Sequence, residues 1–226
     1  MTLQKIVSVL ALSVALLDGG MDAAMPDKDV DGTLFLVNRS QVISEQYIPD
    51  VRVVNAIGMR QSMRPIAAAA LEAMFAAAKE EGGGLSTVSG YRSYSKQSTI
   101  YARKKKTAGL DIADSLVALP GTSEHQLGMA MDLAQKGGSQ LNSRFGDTKA
   151  GQWVSENAWR FGFIVRYQEG KESITGYSFE PWHVRYVGTA YAKAIYESGE
   201  PMETYVSAHR LALYDFLIKQ TNEVLP

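Results

Sequence analysis

Hydrophobic and polar positions along the chain predict helices alternating with a few short strands. An alanine-rich run over 65–81 begins with proline, which suits the first turn of a helix, and ends before three consecutive glycines. The run over 85–89 is typical of a strand, and Ser95 is placed to cap a second helix that continues to about Thr107. The pattern therefore predicts helix, strand and helix in succession.

The second half of the chain continues this mixture. Alternating bulky and small residues predict a strand over 128–134, and a third helix is predicted over 148–160. Strands over 163–167 and 182–186 flank a glycine-containing excursion and are expected to pair, and helices over 189–197 and 202–219 finish the chain. Helices mixed with hairpin-connected strands favour a single compact domain of the α+β class over a doubly wound parallel sheet.

The first residues have the layout of a secretory signal peptide. Lys5 precedes a mainly apolar run over 6–17, which contains Ser8 and Ser13 as its polar residues, and small residues follow it. Because roughly 20 apolar residues are needed to span a bilayer, we expect no stable membrane span. An uncleaved anchor and a buried helix of the fold are the alternatives. We predict a signal peptide over 1–24, export to the periplasm or cell envelope, and a domain over 25–226.

The amino-acid composition excludes several kinds of partner and of functional site. The chain has 226 residues with 23 basic and 24 acidic ones, a balance that argues against nucleic acid as a partner. It contains no cysteine, which excludes disulfides, thiol nucleophiles and cysteine-ligated metals. Four consecutive basic residues over 103–106 fit the C-terminal end of a helix. We interpret them as a solvated helix terminus, with a polyanion site as the alternative.

Two short motifs contain the residue types of a catalytic metal site. The first reads Ser-Glu-His-Gln-Leu-Gly-Met-Ala-Met-Asp over 123–132, and the second reads Glu-Pro-Trp-His over 180–183. A catalytic zinc ion keeps three protein ligands and leaves its fourth tetrahedral position to water. His125, Asp132 and His183 would be those ligands. Glu180 would accept the proton of the water, and Pro181 implies a bend that presents Glu180 and His183 together.

These motifs resemble those of the zinc D-alanyl-D-alanine carboxypeptidases of the vancomycin-resistance type, in the grouping that includes lysostaphin-like peptidases and hedgehog domains. The likeness extends to Ser-Gly-Tyr-Arg-Ser over 89–93, Trp-Arg-Phe-Gly-Phe-Ile-Val-Arg-Tyr over 159–167 and Arg-Tyr-Val-Gly over 185–188. It covers about residues 34–207, which leaves an additional C-terminal helix. The resemblance implies an α+β fold whose short antiparallel sheet forms a zinc cleft flanked by helices.

The resemblance also implies a role for each site residue. The metal ligands and the general base of that family fall on residues of the two motifs: His125, Asp132, His183 and Glu180. Arg92 is expected to hold the terminal carboxylate of the substrate, together with Gln97 and Ser123. Tyr167 is expected to contact the substrate or the oxyanion. The implied enzyme is a monomer with one zinc ion that removes the C-terminal D-alanine from peptidoglycan stem peptides.

The sequence leaves alternatives open. Ser93 and Lys96 have the Ser-x-x-Lys spacing of serine enzymes that cleave D-alanyl-D-alanine, but the further motifs of those enzymes are absent or imperfect. A zinc-bearing module that binds peptidoglycan without cutting it is another alternative, although it has no use for a base at Glu180. Within the peptidase hypothesis, the residue before the cleaved bond can be D or L, and endopeptidase activity also stays open.

Overall fold

The computed structural model describes residues 32–211. Most of them belong to one compact unit, Val37–Met202, which contains every element discussed below. The predicted signal peptide over 1–24 lies outside the described residues, and so does the end of the last predicted helix, which the structure follows over 202–211. Within the described part, every helix is too short or too polar to cross a lipid bilayer.

Two antiparallel sheets form the β structure of the Val37–Met202 unit. The smaller sheet pairs β1 (Arg52–Val53) with β2 (Ser62–Met63). The larger sheet contains β3 (Leu85–Ser89), β4 (Ala130–Gln135), β5 (Phe163–Tyr167) and β6 (Glu180–Tyr186), in the order β3-β4-β6-β5. Its strands all pair antiparallel, and the pairing of the two inner strands places Asp132 opposite His183.

Helices lie between these strands along the chain, and a further helix follows the last strand. They are α1 (Pro65–Glu80), α2 (Tyr94–Ala108), α3 (Leu110–Leu116), α4 (Lys149–Asn157), α5 (Glu172–Thr175) and α6 (Thr189–Ser198). On α1 the buried side chains include Ala67, Leu71, Met74 and Ala78, which recur at helical spacing and so form one apolar face. The architecture is that of an α+β protein with a short antiparallel sheet, as predicted.

Several element bounds differ from the prediction. Ser93, not Ser95, caps α2, because its Oγ accepts the hydrogen bond from the backbone N–H of Lys96 at 3.2 Å. The predicted third helix ends at Asn157 and continues as a 3-10 turn over Ala158–Phe161. Helix α3 was not predicted. It starts directly after Gly109, whose φ of 87° lets the chain change direction there.

The inner strand β4 is buried on both faces. Its residues over 130–134 are all buried, so helices and neighbouring strands cover them on both sides of the sheet. Asp132 lies in the middle of this strand and is 3% exposed. A carboxylate at such a place requires positively charged or hydrogen-bonding partners. The fold therefore directs attention to the side chains around Asp132.

The start of β6 packs against a tight turn, and helix α4 packs against the same turn. Helix α4 passes over the turn at Ser143–Phe145 so closely that a Cβ at Gly151 would lie 2.0 Å from the carbonyl oxygen of Phe145. On the other side of this turn, a Cβ at Gly146 would lie 3.4 Å from Cβ of Pro181. Close packing of this kind resists displacement, so it restrains the residues on either side of Pro181.

Candidate active site

Three potential metal ligands converge at one end of the large sheet. His125 lies on a 3-10 turn over Glu124–Leu127, Asp132 on β4 and His183 on β6, and their ligand atoms lie within 4.8 Å of one another. Oδ2 of Asp132 is 3.3 Å from Nε2 of His125, and Oδ1 is 3.1 Å from Nδ1 of His183. All three side chains are buried. Two imidazole nitrogens and one carboxylate are a donor set that zinc accepts in catalytic sites.

The ring of His125 is oriented by the backbone next to it. Its Nδ1 lies 2.7 Å from the carbonyl oxygen of Gly90, so Nδ1 carries the proton and donates it. The lone pair of Nε2 then points toward Asp132, where a metal would bind. Burial lowers the pKa of His125 to about 4. The ring is therefore neutral near pH 7, the form in which histidine binds a metal.

His183 is oriented by a carboxylate that the sequence motifs did not single out as functional. Nε2 of His183 lies 3.3 Å from Oε2 of Glu124 and donates to it, which leaves Nδ1 facing Asp132. Burial opposes the charged form of the ring, but the hydrogen bonds with Asp132 and Glu124 outweigh burial and raise the pKa of His183 to about 9. A metal bound at Nδ1 would displace a proton there.

Two buried arginines hold Glu124 in turn. Its Oε1 accepts hydrogen bonds from Nε of Arg166 at 2.7 Å and from Nη1 of Arg185 at 2.9 Å. Burial would raise the pKa of Glu124, but the charges of the two arginines and of His183 outweigh it and hold that pKa far below its usual range. The sequence contains a signal for this cluster. Arg166 and Arg185 interrupt apolar strands, and a buried arginine requires an acidic partner.

Glu180 reaches the same centre because β6 is bulged. Pairing with β5 steps from Val165–Val184 to Tyr167–Glu180, so β6 uses more residues than its partner over this stretch. Oε2 of Glu180 thereby lies 4.0 Å from Nδ1 of His183. The predicted bend at Pro181 is thus a bulge within a strand. Burial raises the pKa of Glu180 to about 7, with a further contribution from the charge of Asp132.

Arg92 lies beside the potential ligands and keeps unused donor capacity. Its backbone N–H donates to the carbonyl oxygen of His125 at 3.1 Å. Nη1 donates to Oγ of Ser89 at 3.2 Å and Nη2 to Oγ of Ser123 at 3.5 Å. Nη1 is also 3.8 Å from Oδ2 of Asp132. The Nε–H is buried and has no hydrogen-bond partner within the described part of the chain.

One cavity of about 430 Å³ brings all the predicted site residues together. Its lining includes His125, Asp132, His183, Glu180, Arg92, Gln97, Ser123 and Tyr167. The ring of Tyr167 packs against His183 with centroids 5.0 Å apart, and burial raises the pKa of its hydroxyl well above the usual value. The hydroxyl is therefore a proton donor at neutral pH. Ser93 and Lys96 are not part of this lining.

Gln97 presents a hydrogen-bond acceptor to the cleft. Its Nε2 donates to the carbonyl oxygen of Ala118 at 2.7 Å. Its Oε1 is buried and has no partner among residues 32–211. Because the acceptor on Ala118 fixes which end of the amide carries the nitrogen, Oε1 is the atom of this side chain that lacks a partner in the described range. An N–H group of a peptide fits this oxygen, whereas a carboxylate does not.

Comparison with known proteins identifies a family. Residues 60–189 match the family model described as VanY, D-alanyl-D-alanine carboxypeptidase. The chain is 38% identical over 187 residues to a D-alanyl-D-alanine carboxypeptidase of Enterococcus faecalis, which covers 79% of this chain and 67% of that protein. It is also similar to two solved structures. The LD-carboxypeptidase LdcB is 41% identical, with a TM-score of 0.75, over 79% of this chain and 87% of that one. A variant of the vancomycin-resistance D,D-pentapeptidase VanY in complex with Zn(II) is 37% identical, with a TM-score of 0.67, over 77% and 98%.

Replacing Glu124 tests whether this cluster supports the metal centre. We expect Glu124→Gln to lower the free energy of unfolding by about 3–5 kcal/mol, because it removes the carboxylate that pairs with two buried guanidinium groups. Zinc affinity of the folded protein should fall about 10- to 100-fold, because a neutral amide holds the ring of His183 less firmly than the carboxylate does. Chemical denaturation and zinc titration measure the two effects.

The matched control is Glu81→Gln. Glu81 pairs with Arg160 through two hydrogen bonds, but both side chains are more than a third exposed. Water screens this pair, so the control should lose far less stability and no zinc affinity. Equal losses of stability in the two variants, or unchanged zinc affinity in Glu124→Gln, would contradict the role given to Glu124.

Proposed function

Since this chain belongs to the VanY family of D-alanyl-D-alanine carboxypeptidases, we propose that it is a zinc metallopeptidase that removes the C-terminal D-alanine from peptidoglycan stem peptides. One observation carries the proposal. The three potential ligands, the carboxylate of Glu180 and the guanidinium of Arg92 lie in a single cleft. The similar VanY structure that was solved with Zn(II) supports zinc as the metal.

The donor atoms of this cleft suit zinc. We propose that Nε2 of His125, a carboxylate oxygen of Asp132 and Nδ1 of His183 hold the ion. Two hydrogen bonds support the assignment, because each engages the ring nitrogen that would not bind the metal. Nδ1 of His125 donates to the carbonyl oxygen of Gly90, and Nε2 of His183 donates to Glu124. When bound, zinc supplies Lewis acidity to the scissile carbonyl and to a water molecule.

Glu180 serves as the general base in this proposal. Its pKa of about 7 suits a carboxylate that takes a proton from water near neutral pH and returns it to the leaving amine. Glu180 is also close to the potential ligands without being one of the three. Tyr167 keeps its hydroxyl proton, so it can donate a hydrogen bond to the oxyanion that develops on the scissile carbonyl.

Arg92 explains why the enzyme would act at a C-terminus. A terminal carboxylate is planar, and the guanidinium fork of arginine binds such a group through two parallel hydrogen bonds. The unpartnered Nε–H of Arg92 and the nearby hydroxyl of Ser123 support this assignment. Gln97 has a different role in the proposal. Its free Oε1 would accept a hydrogen bond from a backbone N–H of the peptide.

The two alternatives are less well supported. Oγ of Ser93 accepts the hydrogen bond that caps α2, and neither Ser93 nor Lys96 lines the cleft, so a serine mechanism has little geometric basis. A purely binding module has no use for the carboxylate of Glu180. The similar structures include both an LD-carboxypeptidase and a D,D-pentapeptidase, and our proposal is the D,D activity.

Export is also part of the proposal. The apolar run over 6–17 after Lys5 supports a signal peptide over 1–24, followed by a mature domain over 25–226 that acts in the periplasm or cell envelope. We also propose that the mature enzyme is a monomer.

A chelator experiment separates the metal mechanism from the serine mechanism. A metal chelator should abolish the release of D-alanine from a peptide that ends in D-Ala-D-Ala, and added zinc should restore it. Penicillin should have no effect, and Ser93→Ala should keep its activity. D-alanine release that survives chelation and is lost in Ser93→Ala would instead establish the serine mechanism.

Glu180→Gln separates catalysis from binding. The substitution keeps the size of the side chain but removes the proton acceptor. We expect turnover to fall about 10²- to 10⁴-fold, the usual contribution of general acid–base catalysis, with zinc content unchanged. Stopped assays and metal analysis of the purified variant measure both quantities. Loss of zinc from this variant would make Glu180 a ligand, and unchanged turnover would remove it from the mechanism.

The role of Arg92 is tested by a cycle of two proteins and two substrates. On a peptide with a free C-terminus, Arg92→Ala should lower kcat/KM about 10- to 150-fold, which corresponds to the roughly 1.5–3 kcal/mol of a charged hydrogen bond. Arg92→Lys should stay impaired, because an ammonium group lacks the planar fork. On the same peptide with an amidated C-terminus, Arg92→Ala should lower kcat/KM much less.

The coupling free energy between the Arg92→Ala substitution and the amidation of the peptide shows whether Arg92 binds the terminal carboxylate. A coupling near zero would show that Arg92 does not hold the carboxylate. Equal cleavage of the free and amidated peptides by the unsubstituted enzyme would point to an endopeptidase.

A further inference from the structure

One face of α2 forms a wall of the cleft. The residues of this helix that line the cavity recur every three or four positions: Gln97, Ile100, Arg103, Lys104 and Thr107. Lys105 and Lys106 follow directly in sequence and do not line it. Arg103, Lys105 and Lys106 are exposed and Lys104 is half-buried, which agrees with the interpretation of the basic run as a solvated helix terminus. Its first half also lies on the same wall as Gln97.

The two cations on this wall, Arg103 and Lys104, have no acidic partner in the part of the chain that the structure describes. Neither Arg103 nor Lys104 makes a side-chain hydrogen bond or an ion pair with any residue of the described range 32–211. The carboxylates that line the cavity are those of Glu124, Asp132 and Glu180, which belong to the candidate metal centre. Two positive charges thus line the cleft, and no carboxylate among the described residues pairs with them.

The helix also sets how far these cations lie from Arg92. Helix α2 begins at Tyr94, close to Arg92, and rises 1.5 Å per residue, while its side chains lean back toward its N-terminus. The charges of Arg103 and Lys104 are therefore roughly 8–15 Å along the helix from its Arg92 end. An extended peptide advances about 3.3–3.6 Å per residue. A terminal carboxylate at Arg92 would place the third and fourth residues from the C-terminus at this distance.

We propose that Arg103 and Lys104 form a second anionic subsite, which binds a carboxylate carried by the third or fourth residue from the C-terminus of the substrate. The inference rests on the proposed function, because it takes the terminal carboxylate to lie at Arg92. It names the substrate class more closely as an acidic peptide. Since the subsite is at the rim of the cleft, it increases the affinity for the substrate, and this contribution decreases as salt is added.

Two peptides test the subsite: acetyl-Glu-Glu-D-Ala-D-Ala and acetyl-Gln-Gln-D-Ala-D-Ala, which differ only in charge at these two residues. At low salt, kcat/KM of the zinc-loaded enzyme should be about 3- to 10-fold higher for the glutamate peptide, mainly through KM. The preference should decrease as salt is added. The double variant Arg103→Gln, Lys104→Gln should lose the preference.

The matched control carries the same change of net charge on the same helix. Lys105→Gln, Lys106→Gln removes two positive charges that do not line the cleft, so it should keep the preference of the unsubstituted enzyme. Equal loss in both double variants would overturn the inference in favour of a general effect of net charge. An unsubstituted enzyme that cleaves both peptides equally would also overturn it, while the proposed function would stand. Release of D-alanine from neither peptide would overturn the proposed function and the subsite with it.

Discussion

The buried carboxylate of Glu124 connects the sheet to the candidate metal centre. It accepts hydrogen bonds from Arg166 on β5 and Arg185 on β6, and on its other side from Nε2 of His183. Buried ions are stable only when every partner is in place, because the loss of one leaves an uncompensated charge away from water. The orientation of one potential metal ligand therefore depends on the packing of two strands. A change that separated β5 from β6 would also turn the ring of His183.

Charges alternate in sign from the cleft into the interior of the sheet. Arg92 lies next to Asp132, Asp132 next to His183, and His183 next to Glu124 with its arginines. The carboxylates of Asp132 and Glu124 each have positive neighbours on more than one side, which keeps them ionised despite burial. Glu180 lacks such close partners, so burial dominates and its pKa rises. In this centre Asp132 and Glu124 therefore stay negatively charged, whereas Glu180 has a pKa that suits proton transfer.

Patterns within short stretches of the sequence predicted the features of the fold that depend on neighbouring residues. The helix that begins at Pro65 and the antiparallel strands follow from periodicity and turn residues, the potential metal ligands and Glu180 follow from two short motifs, and the other residues of the cleft were implied by the resemblance to a known family. The partnership of Glu124 with Arg166 and Arg185 was not predicted, because it depends on which strands become neighbours and in what register. The free acceptor of Gln97 is likewise decided by a tertiary contact with another segment. Such features require the assembled fold and cannot be read from spacing.

The bulge in β6 has a consequence for how the length of this chain can vary. Successive residues of a strand point to opposite faces, so adding or deleting one residue between Glu180 and His183 would turn one of the two side chains away from the centre. The stretch over 168–174 is exposed or half-buried and precedes the bulge, and extra residues there leave the register of both strands unchanged. Insertions and deletions are therefore compatible with this site in that stretch and incompatible with it a few residues later.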